Sequence, residues 1–404
     1  MRRPLKILTA LLTAATAGAA LYLQSSALAG GAGAPAVTTP AATVTATGTA
    51  DAQTVKAVNA ANAFLATLSS AQKSAVMFAW TDSAQRARWS NFPTGIFQRK
   101  GVRWGDMNAA QRAALTTLLG TVLSPDGLKM VQEQMAADEV LRTTDSGGGG
   151  GAPSGTAPTG TPPAGATGGT PPAGMTPPTG GAGGGPGNLI FGSAEYYVSF
   201  LGTPSATSPW TLQFGGHHLA INATVVGPNI TLAPSLTGGQ PIRTTQNGKT
   251  VTVVSKVPQE MQDAYALLNS LTAAQRSKAV LSNNVIDLVL GPGQDNRTLQ
   301  PEGLSGSAMT AAQKTRLLAL IKDRMGILNA NDLAAKLAQV QRTLDQTSFA
   351  WYGPTTGNAY AYYRITGPNV LIEFSPQGMG GDNSNHLHNM YREPGNDYGA
   401  AWVK

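Results

Sequence analysis

The stretch Leu65-Ala-Thr-Leu-Ser-Ser-Ala-Gln72 returns, little changed, as Leu268-Asn-Ser-Leu-Thr-Ala-Ala-Gln275. Met107-Asn-Ala-Ala-Gln-Arg112 returns in the same way as Met309-Thr-Ala-Ala-Gln-Lys314. Each stretch holds a capping-box pattern: Ser69 with Gln72, Asn108 with Gln111, Thr272 with Gln275 and Thr310 with Gln313. In a capping box a side-chain oxygen takes an orphan backbone N–H, and the Gln three residues on reaches back. Apolar residues follow at helical spacing, as in Leu115, Leu118, Leu119 and Val122, or Leu317, Leu318, Leu320 and Ile321. Such stripes read as core packing. Further on, Phe200-Leu-Gly202 matches Trp351-Tyr-Gly353, and Gly216-His-His-Leu-Ala-Ile221 matches Gly367-Pro-Asn-Val-Leu-Ile372. Between these landmarks the offset shortens by about the length of a Gly/Pro-rich tract at 145–187. The chain therefore reads as an internal duplication of a helix-helix-helix-strands unit, with repeats at about 55–240 and 255–404. The tract reads as an insertion into the first copy.

The strand portions are aromatic and β-rich: Tyr196-Tyr-Val-Ser-Phe200, Trp210-Thr-Leu-Gln-Phe214, Leu219 to Val226, Ala359 to Ile365 and Asn369 to Phe374. They alternate and are punctuated by Gly and Pro, as antiparallel strands are. The expected class is α+β, with helices packed on antiparallel sheets. The Gly/Pro tract cannot bury a core and is expected to be disordered and dispensable.

The first residues read as an export signal. Arg2, Arg3 and Lys6 form a basic start, Ile7 to Leu23 is apolar, and Ala27-Leu-Ala29 is a small-residue cleavage site. The expected organisation is a signal peptide at 1–29, a disordered tether at 30–50 and one domain from 51 to 404. That places the protein in the periplasm or outside the cell. The Arg2-Arg3 start also resembles a twin-arginine signal, so the export route stays open. No membrane span is expected after cleavage. The formal charge is +7, and subtracting the three cations of the signal leaves a mild surplus without any basic run. Nucleic-acid binding finds no support in that pattern. The chain has no cysteine, which excludes disulfides, thiolate metal sites and cysteine nucleophiles. No nucleophile elbow, phosphate-binding loop or dinucleotide fingerprint is present.

All four histidines fall in two short clusters, His217-His218 after Gly-Gly and His386-Leu-His388. Neutral imidazole is a common ligand for zinc and copper. On a strand His386 and His388 share a face, because side chains alternate. His217 and His218 point to opposite faces, so one of them is expected to join the other pair, and His218 is favoured. Three imidazoles with an open position is a catalytic zinc pattern, and similar sets serve copper. Glu373, Asp382, Glu393 and Asp397 are the carboxylates expected near it. In the enzyme reading Glu393 or Glu373 is the general base and Arg392 steadies an anion. In the competing reading the histidines bond backbone carbonyls, Arg392, Glu393 and Asp397 lock the C-terminal tail, and the protein binds an envelope ligand or partner without catalysis.

Three long motifs carry a family resemblance. They are Trp210-Thr-Leu-Gln-Phe-Gly-Gly-His-His-Leu-Ala-Ile-Asn222, Thr231-Leu-Ala-Pro-Ser-Leu-Thr-Gly238 and the tail His386-Leu-His-Asn-Met-Tyr-Arg-Glu-Pro-Gly-Asn-Asp-Tyr-Gly399. Trp89-Ser-Asn-Phe-Pro93 and Gly101-Val-Arg-Trp-Gly-Asp106 agree with them. Together they resemble the exported bacterial proteins grouped as domain-of-unknown-function family 3500, over most of residues 55–404. That resemblance implies no established activity, so the chemistry rests on the residues themselves.

Overall fold

A computed structural model describes residues 48–144, 189–356, 359–378 and 381–403. The expected signal peptide, nearly all of the tether and the Gly/Pro tract lie outside these residues. The first part of the chain gives helices α1 (Ala52–Ala66) and α2 (Ser70–Val76), strand β1 (Met77–Phe78), helix α3 (Ser83–Arg86), strand β2 (Val102–Arg103), and helices α4 (Ala109–Val122) and α5 (Pro125–Thr144). Strands β3 (Tyr197–Leu201), β4 (Trp210–Gly216), β5 (Leu219–Val226), β6 (Asn229–Thr231) and β7 (Ser235–Gly239) follow. A small hairpin, β8 (Arg243–Gln246) and β9 (Lys249–Thr252), stands apart as its own two-stranded sheet. The second part gives α6 (Lys256–Asn269), α7 (Ala273–Ala279), β10 (Val280–Ser282), β11 (Leu304–Ser305), α8 (Ala311–Met325) and α9 (Ala330–Arg342). It ends with β12 (Ser348–Tyr352), β13 (Tyr362–Gly367), β14 (Val370–Pro376) and β15 (Leu387–Arg392).

The class is α+β. The main sheet has 13 strands, with the path β1-β3-β4-β5-β7-β15-β14-β13-β12-β10. Read from either end, the path meets elements in matching order, and β7 and β15 form its centre. The sheet is mixed rather than purely antiparallel, because β1 and β10 run parallel to β3 and β12. The helical layers also exceed three helices. Helices α5 and α9 are the last of each helical layer. Apolar and polar residues interleave along α5 without a clear stripe, and it ends at Thr144, where the helical part of the first copy is expected to end.

All four capping boxes form. Their glutamines also meet in pairs. Gln111 Nε2 donates to Gln72 Oε1 at 2.9 Å, and Gln313 Nε2 donates to Gln275 Oε1 at 2.9 Å. Each cap contributes about 1 kcal/mol, while each fully buried Leu or Phe contributes about 1.5–3 kcal/mol. Packing therefore decides the fold, and the caps set helix boundaries. A seven-residue helix such as α2 has no stability of its own and stands because its neighbours hold it.

The helices cover one face of the sheet. One core gathers Phe64, Leu115, Leu118, Phe200, Phe214 and Ile221, and a second gathers Met261, Leu317, Ile321, Trp351, Ile372 and Phe374. The other face is more polar and is covered by the loops after α3 and β10. Trp89 packs there on Ala220, Leu236 and Met390. Among the described residues no helix is long and apolar enough to cross a membrane.

Candidate metal centre

The β4–β5 hairpin closes between Gly216 and Leu219, so His217 and His218 are its two turn residues. His218 sits at φ +60°, in the left-handed region. That conformation costs a non-glycine residue roughly 1–2 kcal/mol, and it persists only where surroundings impose it. Here the surroundings do. A Cβ on Gly216 would stand 2.7 Å from the Tyr196 ring. Tyr196 donates its hydroxyl to the His217 carbonyl at 2.9 Å, and Arg99 Nη2 donates to the Gly216 carbonyl at 2.7 Å.

The second histidine pair comes from the start of β15. His386 precedes the strand, and its carbonyl accepts from Gln377 N at 2.8 Å. His388 pairs with Ser375 of β14 on one side and Gly238 of β7 on the other. Gly238 leaves the imidazoles their room. A Cβ there would meet the Leu387 carbonyl oxygen at 2.4 Å, the His388 ring at 3.4 Å and the His218 Cβ at 3.5 Å.

The result is a near-equilateral triangle of imidazoles. Ring centroids of His218, His386 and His388 lie 4.7, 4.9 and 5.0 Å apart. One nitrogen from each lies within 4.8 Å of the other two. His218 Nε2 and His386 Nε2 are 2.8 Å apart, and His388 Nε2 is buried with no partner among the described residues. None of these side chains exposes more than 6 % of its surface. Burial first, and the neighbouring imidazoles second, hold His218 and His388 well below the usual imidazole range. Both are therefore neutral at pH 7, the form that ligates metals.

His217 stands beside this triangle. Its ring lies against His218, tilted by 36° with centroids 3.7 Å apart, and Phe191 covers it at 5.1 Å. Its Nδ1 meets Asp138 Oδ1 at 2.6 Å, both groups being buried. Asp138 Oδ2 has no hydrogen-bond partner. Asp138 lies on α5, and nothing in its local sequence sets it apart from an ordinary helical carboxylate.

The carboxylates singled out from sequence have other partners. Glu373 accepts from Val289 N and Leu290 N at 2.8 Å each and from the Tyr362 hydroxyl at 2.6 Å. It pins the loop after β10 to the sheet. Glu393 pairs with Lys336 and accepts from Thr231, Tyr391 and Asn396 at 2.7, 2.8 and 2.6 Å. Arg392 donates to the Leu290 and Gly291 carbonyls and pairs with Asp397 at 2.6 Å and Asp295 at 3.2 Å. Asp382 is exposed and bonds Ser384 and Arg243. None of these four acids joins the imidazole group.

A family model described as "Protein of unknown function (DUF3500)" matches residues 50–400. The chain belongs to this family. No curated protein and no solved structure shows a significant match to it. The DUF3500 match spans both histidine clusters, the Asp138 helix and all the strands that assemble them.

Proposed function

We propose that this DUF3500 chain is an exported, periplasmic or extracellular metalloprotein that holds one divalent ion, zinc or copper, through His218, His386 and His388. The observation that carries this reading is the convergence of three buried imidazoles, with His388 Nε2 lacking any partner among the described residues. A lone nitrogen of this kind costs about 1–3 kcal/mol unless something binds it. Two nitrogens on one tetrahedral zinc stand about 3.3 Å apart, so loading opens the 2.8 Å His218–His386 contact slightly.

Three protein ligands leave a coordination position for water or substrate, which suits hydrolytic or oxidative chemistry according to the metal. The His217–Asp138 pair lies beside His218 and would be the candidate proton acceptor. Glu373, Glu393 and Arg392 keep a positioning role in this reading, because their polar atoms already hold the loop after β10 and the C-terminal tail. The matching element order on either side of β7 and β15 supports an internal duplication, with the centre built where the copies meet.

A second reading has its own support. The imidazoles are so nearly closed off that the cluster also suits a non-catalytic envelope protein that binds a ligand or partner. Elemental analysis of untagged protein, purified without chelator and then dialysed, is the deciding measurement. One zinc or copper per chain is the expected result. Absence of tightly held metal, even after incubation with zinc and with copper salts, would overturn the proposal.

A further inference from the structure

A small cavity lies under the β4–β5 hairpin, between the polar face of the sheet and the loop that carries Trp89. It is lined by Arg88, Arg99 and Lys100, together with Trp89, Ser199 and Gln213, and by no carboxylate. Arg99 Nη2 is fully used, donating to the carbonyls of Ser90, Phe92 and Gly216 at 2.8, 2.8 and 2.7 Å. Its Nη1 is buried and unpartnered, as is Arg88 Nε. The acids nearest Arg99 are engaged elsewhere, Glu195 with Arg103 and Asp138 with His217. Burial pushes the Arg99 guanidinium down to about 10, which leaves it charged at neutral pH. A buried cation without a counter-ion is costly, and that cost falls when an anion enters.

We propose that Arg88, Arg99 and Lys100 bind a carboxylate group of the ligand that reaches the imidazole cluster. The proposal rests on the reading of that cluster as the functional site. Two observations favour a carboxylate. The open donors are guanidinium N–H groups, whose planar geometry matches a carboxylate. Gly215 and Leu219 also line the cavity, and they flank the His217-His218 turn, so the cavity sits beneath the hairpin that carries two of the imidazoles. Lys100 is exposed and Arg88 half-buried, which gives the anion a route in.

The probe is sodium acetate, titrated into the full untagged chain at constant ionic strength and followed by tryptophan fluorescence, since Trp89 lines the cavity. A saturable change is expected. Arg88→Gln should weaken acetate by about tenfold or more and leave metal content unchanged. Lys100→Gln should weaken it less. Arg99→Gln removes three carbonyl contacts and is read only if the variant stays folded. A flat titration, or an Arg88→Gln variant that binds acetate as well as wild type, overturns the proposal. Equal displacement by chloride or phosphate overturns the carboxylate assignment. Acetate binding by a protein that takes up no metal would sink the metal reading and leave this site standing.

Discussion

Two hairpin turns occupy matching places in the two halves of the sheet and have opposite fates. The β4–β5 turn is His217-His218, closed by the pair Gly216 and Leu219. The β13–β14 turn is Pro368-Asn369, closed by the pair Gly367 and Val370. Asn369 spends its amide on the Thr343 hydroxyl at 3.1 Å and ties the turn to the end of α9. His218 instead takes a left-handed backbone and sends its ring toward His386 and His388. The contrast continues along the strands. Gln213 pairs with Asn222 in one half, and at the matching register Arg364 faces Glu373 in the other. The first pair is neutral and lies by the basic cavity. In the second half, Glu373 fastens a loop. One frame thus carries the buried imidazole cluster on one side and structural locks on the other. Of the two turns, the strained one is His217-His218, with His218 in the left-handed region.

The sharpest way to break this comparison is to exchange ligand loss for lock loss. Replacing His386 and His388 by Ala should abolish stoichiometric metal and leave most of the fold, because a site built for chemistry rarely supplies stability. Asn369→Ala should keep full metal and cost about 1 kcal/mol, the net worth of one hydrogen bond. Metal analysis beside urea denaturation checks both. Unfolding of the His double variant, with no metal in the wild type, would make the imidazoles structural.

Asp138→Asn comes next. It keeps the shape of the side chain but weakens the partner of His217, at a cost of about 1–3 kcal/mol in denaturation. Metal affinity should fall by about tenfold through the altered support beside His218. Unchanged affinity would detach the His217–Asp138 pair from the centre.

The smallest effect concerns a second difference between the halves. Asp263 of α6 and Asp323 of α8 approach each other where the first half has Ala60 and Thr121. Burial first, then Asp263, pushes the Asp323 carboxyl up to about 7. A raised carboxyl value means that the folded state binds the proton more tightly than the unfolded chain. Its contribution is therefore present below the ordinary carboxylate range and is lost as pH rises toward about 7. Asp323→Asn should flatten the fall in stability between about pH 4 and 7, measured by chemical denaturation. A slope identical to wild type would locate that titration in other groups.

Much of this was legible in residues 65–72 and 268–275. Capping chemistry is local, so Ser69, Asn108, Thr272 and Thr310 announce their helices without help from the rest of the chain. Strand alternation gave β3, β4, β5, β13 and β14 for the same reason. The parallel strands β1 and β10 were not legible. They are two and three residues long, and their pairing belongs to the partner strand. Asp138 on α5 was not legible either, because nothing in its local sequence marks it as the partner of His217.

The amino-acid sequence by itself determined where four of the helices begin, the α+β class, the family, and the fact that any metal would have to be held by histidine and oxygen, since the chain has no cysteine. Only the tertiary structure decided which side chains share a site. The pairing of β7 with β15 sets Gly238 opposite His388, and the left-handed turn brings His218 across to meet it. The same packing gave His217 its partner on α5 and drew Glu373, Glu393 and Arg392 into the loop and tail contacts. Caps and alternation act over a few residues and can be read in order. Convergence depends on strand register and on which neighbour satisfies each buried charge, and those are properties of the packed chain.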